Sequence, residues 1–142
     1  AVKTLHSFGI AHLDIKPENI LISKEGPLLC DFANSTCAKN ISNETFISTP
    51  VYTAPERFKS DVVDAKAADI WSLGILLHVL FTGCYPFSAS GEQKQPRSVD
   101  LSHVRDLASP IFVELLQSLL TVNPKARPTI SQVLSHPVFD ML

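Results

Sequence analysis

Several features that would assign a chain to a specialised class are missing from these 142 residues. The formal net charge is only −2, so no basic surface predicts binding to nucleic acid or to an anionic membrane. Cys30, Cys37 and Cys84 are too far apart for a zinc site or a disulfide framework, and they predict reduced thiols in an intracellular, cytoplasmic protein. The longest apolar stretch, 75–81, contains His78 and is too short to span a bilayer.

Glycine is scarce as well. The five glycines are Gly9, Gly26, Gly74, Gly83 and Gly91, and none has the spacing of a loop that cradles phosphate groups. The first residues are already apolar at Leu5 and Phe8, and no initiator methionine precedes them. We therefore expect the chain to be a fragment that starts within a helix. Nothing in its composition predicts an oligomeric state.

The patterns that are present in the sequence predict mostly helices. Apolar residues make up 45% of the chain, which is typical of a globular domain. An almost continuously apolar pattern over 65–81 predicts a buried central helix that ends at Gly83. A second helix is predicted over 111–120 from apolar residues at helical spacing. The segment Thr129–Gln132 has the form of a capping box that opens a last helix, which Pro137 stops.

Other segments predict turns, a hairpin and loops. Gly9 is expected to close the first helix, and short apolar runs within 20–30 predict a hairpin with Gly26 in its turn. The segment 31–57 has no clear period, and 88–98 has the composition of a solvated loop. Little strand signal is found after the first thirty residues.

The stretch "HLDIKPEN" places charged and amide side chains close together between two apolar segments. Pro17 favours an extended backbone at Lys16, and in an extended segment Asp14 and Lys16 point the same way. Asn19 follows three residues later, and Asp31 ends the next predicted strand. Phosphoryl transfer needs a carboxylate, a cation and hard oxygen ligands for Mg²⁺. Metal-assisted hydrolysis could use some of the same groups.

Several motifs together resemble one family. In chain order they are "HLDIKPEN", "CDFA", "STPVYTAPE", "DIWSLGILLHVLFTGCYPF" and "NPKARPTISQVLSHPVF". They are similar to the catalytic loop, the metal-binding Asp-Phe-Gly, the Ala-Pro-Glu and the later helices of eukaryotic Ser/Thr protein kinases. The resemblance covers nearly the whole chain.

The resemblance implies a mainly α fold, namely the helical C-terminal lobe of the α+β protein-kinase fold with a small β-hairpin near the catalytic loop. Residues 1–142 would be this lobe alone, without the N-lobe, and 31–56 would be the activation segment. It implies transfer of the γ-phosphate of ATP, with Mg²⁺, to Ser or Thr of a protein substrate. We expect the fragment alone to be inactive, since half of the ATP site is missing. The alternatives are a pseudokinase or scaffold that binds partners, or a non-functional truncated remnant.

The resemblance also implies roles for individual residues. Asp14 corresponds to the catalytic base, and Lys16 to the lysine that steadies the γ-phosphate and marks the Ser/Thr class. Asn19 and Asp31 correspond to the two Mg²⁺ ligands. Thr49 corresponds to the threonine that hydrogen-bonds the catalytic aspartate and lysine.

Five further residues correspond to structural positions of the family. His12 and Phe32 match members of a packed hydrophobic spine. Glu56 and Arg127 match an ion pair that ties the end of the activation segment to the last helices. Asp69 matches an aspartate of the central helix that accepts backbone N–H groups from the catalytic loop.

Two departures from the family pattern concern regulation. Leu13 stands where the catalytic loop usually has an arginine, and Ala33 replaces the glycine after Asp-Phe. Thr45 stands at the usual phosphosite, but a phosphate there would have to find Lys39 or Arg57 as its cation. We expect activation to depend little on phosphorylation of Thr45.

Overall fold

The computed structural model describes residues 1–42, 49–60, 62–87 and 99–141. Its helices are α1 (Val2–Ser7), α2 (Ala65–Thr82), α3 (Ser102–Leu107), α4 (Pro110–Leu119) and α5 (Ile130–Leu134). Its strands are β1 (Ile20–Ser23), β2 (Gly26–Leu29), β3 (Asn40–Ser42) and β4 (Val62–Asp64). Short 3₁₀ turns at Pro17–Asn19, Pro50–Tyr52, Pro55–Phe58, Pro124–Ala126 and Pro137–Met141 connect these elements.

The central helix α2 has well-defined ends. The Asp64 carboxylate accepts hydrogen bonds from the backbone N–H groups of Lys66 and Ala67, both at 3.0 Å, and so caps the helix N-terminus. Gly83 ends it in the left-handed conformation, with φ of 73°, which glycine adopts without steric cost. The prediction of a buried helix over 65–81, closed by Gly83, is confirmed.

The helix α2 is longer than the apolar stretch 75–81, which was considered too short to span a bilayer. Its 18 residues are long and apolar enough, by length and composition, to cross a membrane, although the stretch 75–81 alone is too short. Over half of the helix, 56%, is buried inside the fold. Trp71 and Ile75 are fully buried, as is the carboxylate of Asp69. The helix therefore forms the core around which the other elements pack.

The close approach of α2 and α4 depends on a glycine. A Cβ atom at Gly74 would lie 2.8–2.9 Å from side-chain atoms of Leu119 and Leu120, closer than any normal contact. Leu115, Leu116 and Leu119 are buried on the face of α4 that packs inward. The predicted helix over 111–120 is confirmed as α4.

Helix α1 ends, and helix α5 begins, at the residues that the sequence predicts. At the end of α1 the N–H of Gly9 donates to His6 O at 3.2 Å and that of Ile10 donates to Leu5 O at 2.9 Å. This is the Schellman arrangement, and Gly9 has φ of 80°. At α5 the N–H of Thr129 donates to Gln132 Oε1 at 2.8 Å, and that of Gln132 donates to Thr129 Oγ1 at 3.3 Å. The predicted capping box is therefore present.

The strands confirm one prediction and correct another. β1 and β2 form the predicted antiparallel hairpin, although Gly26 pairs with Ser23 as the first residue of β2 and is not in the turn. After residue 30 the described part of the chain has only the three-residue strands β3 and β4, in line with the expectation of little strand, and their pairing brings Ile41 opposite Val63, both buried. The helix α3 was also not predicted. The loop predicted over 88–98 lies outside the described residues.

Candidate active site

The segment that leads into the site is held by the central helix. The two Asp69 carboxylate oxygens accept the backbone N–H groups of His12 at 2.8 Å and Leu13 at 2.7 Å. Leu13 has φ of 65°, a left-handed conformation that costs a non-glycine residue about 1–2 kcal/mol. Hydrogen bonds to a buried, charged carboxylate are strong enough to hold it there. The structure thus places Asp69 in the position that the family resemblance implies.

His6 is a further member of this network. Its Nε2 lies 2.9 Å from Asp69 Oδ2, and since a carboxylate only accepts, Nε2 carries the proton. The His6 backbone carbonyl accepts a hydrogen bond from Lys66 Nζ at 2.7 Å. The sequence analysis did not single out His6, because 63 residues separate it from Asp69 and no local spacing joins them.

Three side chains meet around the Asp14 carboxylate, which is almost completely buried. Lys16 Nζ donates to Asp14 Oδ2 at 2.9 Å and to Thr49 Oγ1 at 2.8 Å. Thr49 Oγ1 donates to Asp14 Oδ1 at 3.2 Å. Asn19 Nδ2 donates to Asp14 Oδ2 at 3.0 Å and to the Asp14 carbonyl at 2.8 Å. The structure thus brings together four residues that the sequence spreads over 36 positions, from 14 to 49.

The β1–β2 hairpin brings the backbone just before Asp31 back to Asn19, a member of this cluster. The hairpin register continues past the strands, where the N–H of Cys30 donates to Asn19 O at 2.9 Å. Asp31 follows directly, is exposed, and has φ of 62°. The strained backbone turns the chain at this point, which is common at functional sites.

The chemistry of Asn19 and Asp31 fits a magnesium ion. Both hydrogen bonds that the Asn19 side chain makes within the described residues use Nδ2, so the amide oxygen is the atom that can serve as a ligand. No group of three or more His, Cys, Asp or Glu side chains in the described part of the chain could hold a metal. Mg²⁺ does not need one, because it binds one or two protein oxygens together with phosphate oxygens and water.

Glu56 and Arg127 form a buried, bidentate ion pair. Arg127 Nη1 donates to Glu56 Oε1 and Nη2 to Oε2, both at 2.6 Å. The same guanidinium donates to the backbone carbonyls of Thr121, Ala67 and Val122 at 2.7, 2.9 and 3.1 Å. Its Cζ lies 5.0 Å from the centre of the Trp71 ring, a cation–π distance. The segment 49–60 is thereby fastened to α2 and to the chain before α5.

Comparison with known proteins assigns the chain to a family. The model of the "Protein kinase domain" family matches residues 1–139. The chain belongs to the protein kinase domain family. It is 37% identical over 142 residues to sperm motility kinase 2B of Mus musculus, and 39% identical over 142 residues to serine/threonine-protein kinase kin-29 of Caenorhabditis briggsae.

A solved kinase structure shows the same fold. It contains the Rad53 kinase domain and SCD2 in complex with AMPPNP, and it superimposes with a TM-score of 0.78 at 31% identity. The alignment covers 96% of this chain and 53% of that one. The two curated kinases are covered over 29% and 17% of their length, with 96% of this chain aligned in each case. The chain therefore spans about half of a solved kinase chain and under a third of these relatives.

His12 and Phe32, which the resemblance assigns to a hydrophobic spine, contact each other in this chain. The rings of His12 and Phe32 lie edge to face with centres 5.1 Å apart. His12 is fully buried, and its Nε2 lies 3.1 Å from the carbonyl oxygen of Cys30. Phe32, in contrast, is 50% exposed, so one face of the pair is open in this chain.

The surroundings of Leu13 are apolar. Leu13 belongs to the main core cluster together with Ile41 and Tyr52. Burial raises the pKa of the Tyr52 hydroxyl, and the neighbouring Tyr85 adds to the shift. Arg57 lies near Leu13 and is also buried. Burial lowers the pKa of its guanidinium, and the carboxylates of Asp69 and Glu56 oppose this shift.

Of the two cations considered for a phosphate on Thr45, Lys39 is exposed and Arg57 is in the core. Thr45 itself lies outside the described residues.

Proposed function

We propose that this chain is the helical C-terminal lobe of a Ser/Thr protein kinase. The parent enzyme would transfer the γ-phosphate of ATP to a Ser or Thr hydroxyl of a protein substrate. The observation that carries the proposal is the Asp14 carboxylate, held by Lys16, Asn19 and Thr49, together with the hydrogen bond from Cys30 to Asn19 that brings the chain before Asp31 to this cluster. The coverage of 53% of a solved kinase chain supports the assignment to one lobe.

Asp14 is the proposed base. Its two oxygens are already oriented by three donors, so the carboxylate does not have to reorganise when an acceptor hydroxyl arrives. It would orient that hydroxyl and accept its proton as the oxygen attacks phosphorus. The alternative reaction, hydrolysis by a metal-activated water, would not require the hydrogen bond between Lys16 and Thr49. That hydrogen bond links the proposed base to the chain segment that begins at Thr49.

Lys16 is the proposed cation for the transferring phosphoryl group. Its ammonium has three donors, and two of them contact Asp14 and Thr49. The charge therefore lies next to the base, where the phosphoryl group and the acceptor oxygen must meet. Lysine at this position also resembles the Ser/Thr class, because tyrosine kinases lack it.

Asn19 and Asp31 are the proposed magnesium ligands. Bound Mg²⁺·ATP would supply the phosphoryl group and neutralise the charge that develops on its oxygens. The protein supplies a fixed amide, anchored through Nδ2 to Asp14, and a carboxylate carried by a left-handed residue at the end of the hairpin. The remaining contacts to the phosphates would come from a glycine-rich loop outside these 142 residues, so we expect the chain alone to have no useful activity.

The experiment uses the full-length protein with radiolabelled ATP, Mg²⁺ and a mixture of Ser-, Thr- and Tyr-containing peptides. We expect label on Ser or Thr by phosphoamino-acid analysis. The Asp31→Asn variant should lose activity by orders of magnitude, because a metal ligand loses its charge. The matched variant Asp106→Asn, at an exposed position of α3, should keep it. Label on Tyr would contradict the class, and ATP binding without transfer would favour the pseudokinase or scaffold alternative.

A further inference from the structure

A groove away from the Asp14 cluster has no role in the proposed reaction. It lies between α1, the segment before β3, the first turns of α2 and the chain that leads into α5, and it encloses about 620 Å³. Asp14, Lys16 and Asn19 do not line it. We call it the lysine groove after the residues described next.

The lysine groove concentrates positive charge. Four of the eight lysines of the chain line it, namely Lys3, Lys39, Lys66 and Lys125. Among the described lining residues the one acid is Asp64, and both N–H groups at the start of α2 already bind its carboxylate. Arg127 also contributes to the wall, but Glu56 neutralises it. A chain with a net charge of −2 thus carries a local cationic surface.

The four lysines come from separate parts of the chain and converge on the groove. Lys3, Lys39 and Lys125 are exposed. The backbone at Lys39 is fixed because its carbonyl accepts the N–H of Ala65 at 3.0 Å. Lys66 is partly buried, and its Nζ donates to the carbonyl oxygen of His6. The charges therefore sit on anchored elements and not on one free tail.

Apolar side chains also line the groove. Ile70 and Ile130 belong to a small core cluster, are buried, and line the groove. Pro124 and Pro128 line it as well, and both are only partly exposed. A surface that combines an apolar lining with exposed cations suits a ligand that is acidic and apolar at once.

We propose that the lysine groove docks an extended acidic segment of a partner protein. Its Asp and Glu side chains would meet Lys3, Lys39 and Lys125, and an apolar side chain between them would contact Ile70 and Ile130. Charge complementarity argues for this occupant, and the apolar residues of the lining distinguish it from a nucleic acid or an inorganic polyanion. Docking here needs no nucleotide, so its test is independent of the proposed phosphoryl transfer.

The test measures binding of a short fluorescent peptide to the full-length protein by anisotropy, without nucleotide. The peptide consists of Asp and Glu with two Leu residues. Reversing two exposed groove charges, Lys3→Glu with Lys125→Glu, should weaken binding by about tenfold or more. The charge-matched control Lys24→Glu with Lys59→Glu, at exposed positions outside the groove, should change it by less than about twofold.

Two further comparisons identify the occupant. Replacing both Leu of the peptide by Ser should weaken binding severalfold, because the apolar contact is lost. The variant Ser131→Trp, which fills the groove without a change of charge, should also weaken it. The proposal is overturned if the peptide does not bind, if both double variants lose affinity equally, or if an oligonucleotide or anionic vesicles compete as well as the peptide does.

Discussion

Two carboxylate–cation pairs in this chain have similar distances and different surroundings. Lys16 Nζ lies 2.9 Å from Asp14, and its side chain is 17% exposed. Arg127 Nη1 lies 2.6 Å from Glu56, and its side chain is fully buried. Every nitrogen of the Arg127 guanidinium donates, either to Glu56 or to a backbone carbonyl. The difference separates a pair that is partly open to solvent, as the proposed function requires, from one that is closed off and holds elements together.

The two cations suit these roles. A guanidinium has donors in a fixed plane, so it can bind a carboxylate and several carbonyls at once, as Arg127 does. An ammonium is a compact charge on a flexible stem, so Lys16 can turn away from Asp14, as the proposed phosphoryl transfer would require. The comparison predicts that substitutions at one pair affect activity and those at the other affect stability.

The largest expected effect is on the rate. Asp14→Asn keeps the shape of the side chain but removes the proposed base, so activity of the full-length protein should fall by about 10²- to 10⁴-fold. The urea midpoint of unfolding should fall less than it does when the Arg127 pair is broken, because asparagine keeps one acceptor oxygen among the three donors and Lys16 is partly open to solvent. Activity and unfolding are measured on the same preparation, with Asp140→Asn as the exposed control. An active variant would show that Asp14 is not the base.

The buried pair should show the opposite behaviour. Arg127→Ala leaves the Glu56 carboxylate buried without its cation, which should lower the free energy of unfolding by about 3–5 kcal/mol. Limited proteolysis should then cut more readily in the segment 31–56. The control Arg105→Ala, at an exposed position of α3, should stay within about 0.5 kcal/mol of the wild type. Equal stability of both variants would refute the structural role.

A conservative substitution sharpens the comparison. Arg127→Lys keeps the charge but not the planar set of donors, so it should cost roughly 1.5–3 kcal/mol, less than alanine does. Urea unfolding of the two variants and of Arg105→Lys provides the measurement. If Arg127→Lys is as stable as the wild type, charge alone accounts for the pair and the fork geometry does not matter.

The smallest effect is expected at Thr45. Leu13 is packed in the apolar core where the family usually has an arginine, and Glu56–Arg127 already fastens the segment that ends at 56. Thr45→Ala in the full-length enzyme should therefore change activity by less than about twofold, since a phosphate would lack its usual cation. The measurement compares initial rates of the two proteins after purification from the same host. A large loss of activity would show that phosphorylation at Thr45 is needed.

The sequence predicts local features of the fold well and distant pairings badly. The apolar run of α2 and the Thr129–Gln132 capping box each depend on neighbours within a few positions, so their patterns are readable. β3 has one buried residue, Ile41, and its partner strand lies more than twenty positions away. Helix α3 is equally weak in signal, because Val104 is its one buried residue. Such elements form through tertiary packing and leave no period in the sequence.

In the candidate site, too, residues that are close in the sequence could be predicted from spacing, whereas distant ones could not. Asp14, Lys16 and Asn19 lie within six positions, so their convergence can be argued from an extended backbone and a following turn. Thr49 and Asp69 lie 35 and 55 residues after Asp14, and no spacing rule connects them to it. Only the family resemblance suggested these two residues. His6 was missed because its contact with Asp69 is just as distant and was not among the motifs.

The hydrogen bonds between Asp69 and the backbone of His12 and Leu13 have a consequence for how the molecule unfolds. Asp69 is rigidly part of α2, the buried centre of the core, and it binds the amides of His12 and Leu13 directly. The loop therefore belongs to the same cooperative unit as the core helix, although it carries strained backbone and lies beside the site. The amide protons of His12 and Leu13 should exchange with solvent only when the core around α2 opens, and heat should abolish the site and the fold in a single step.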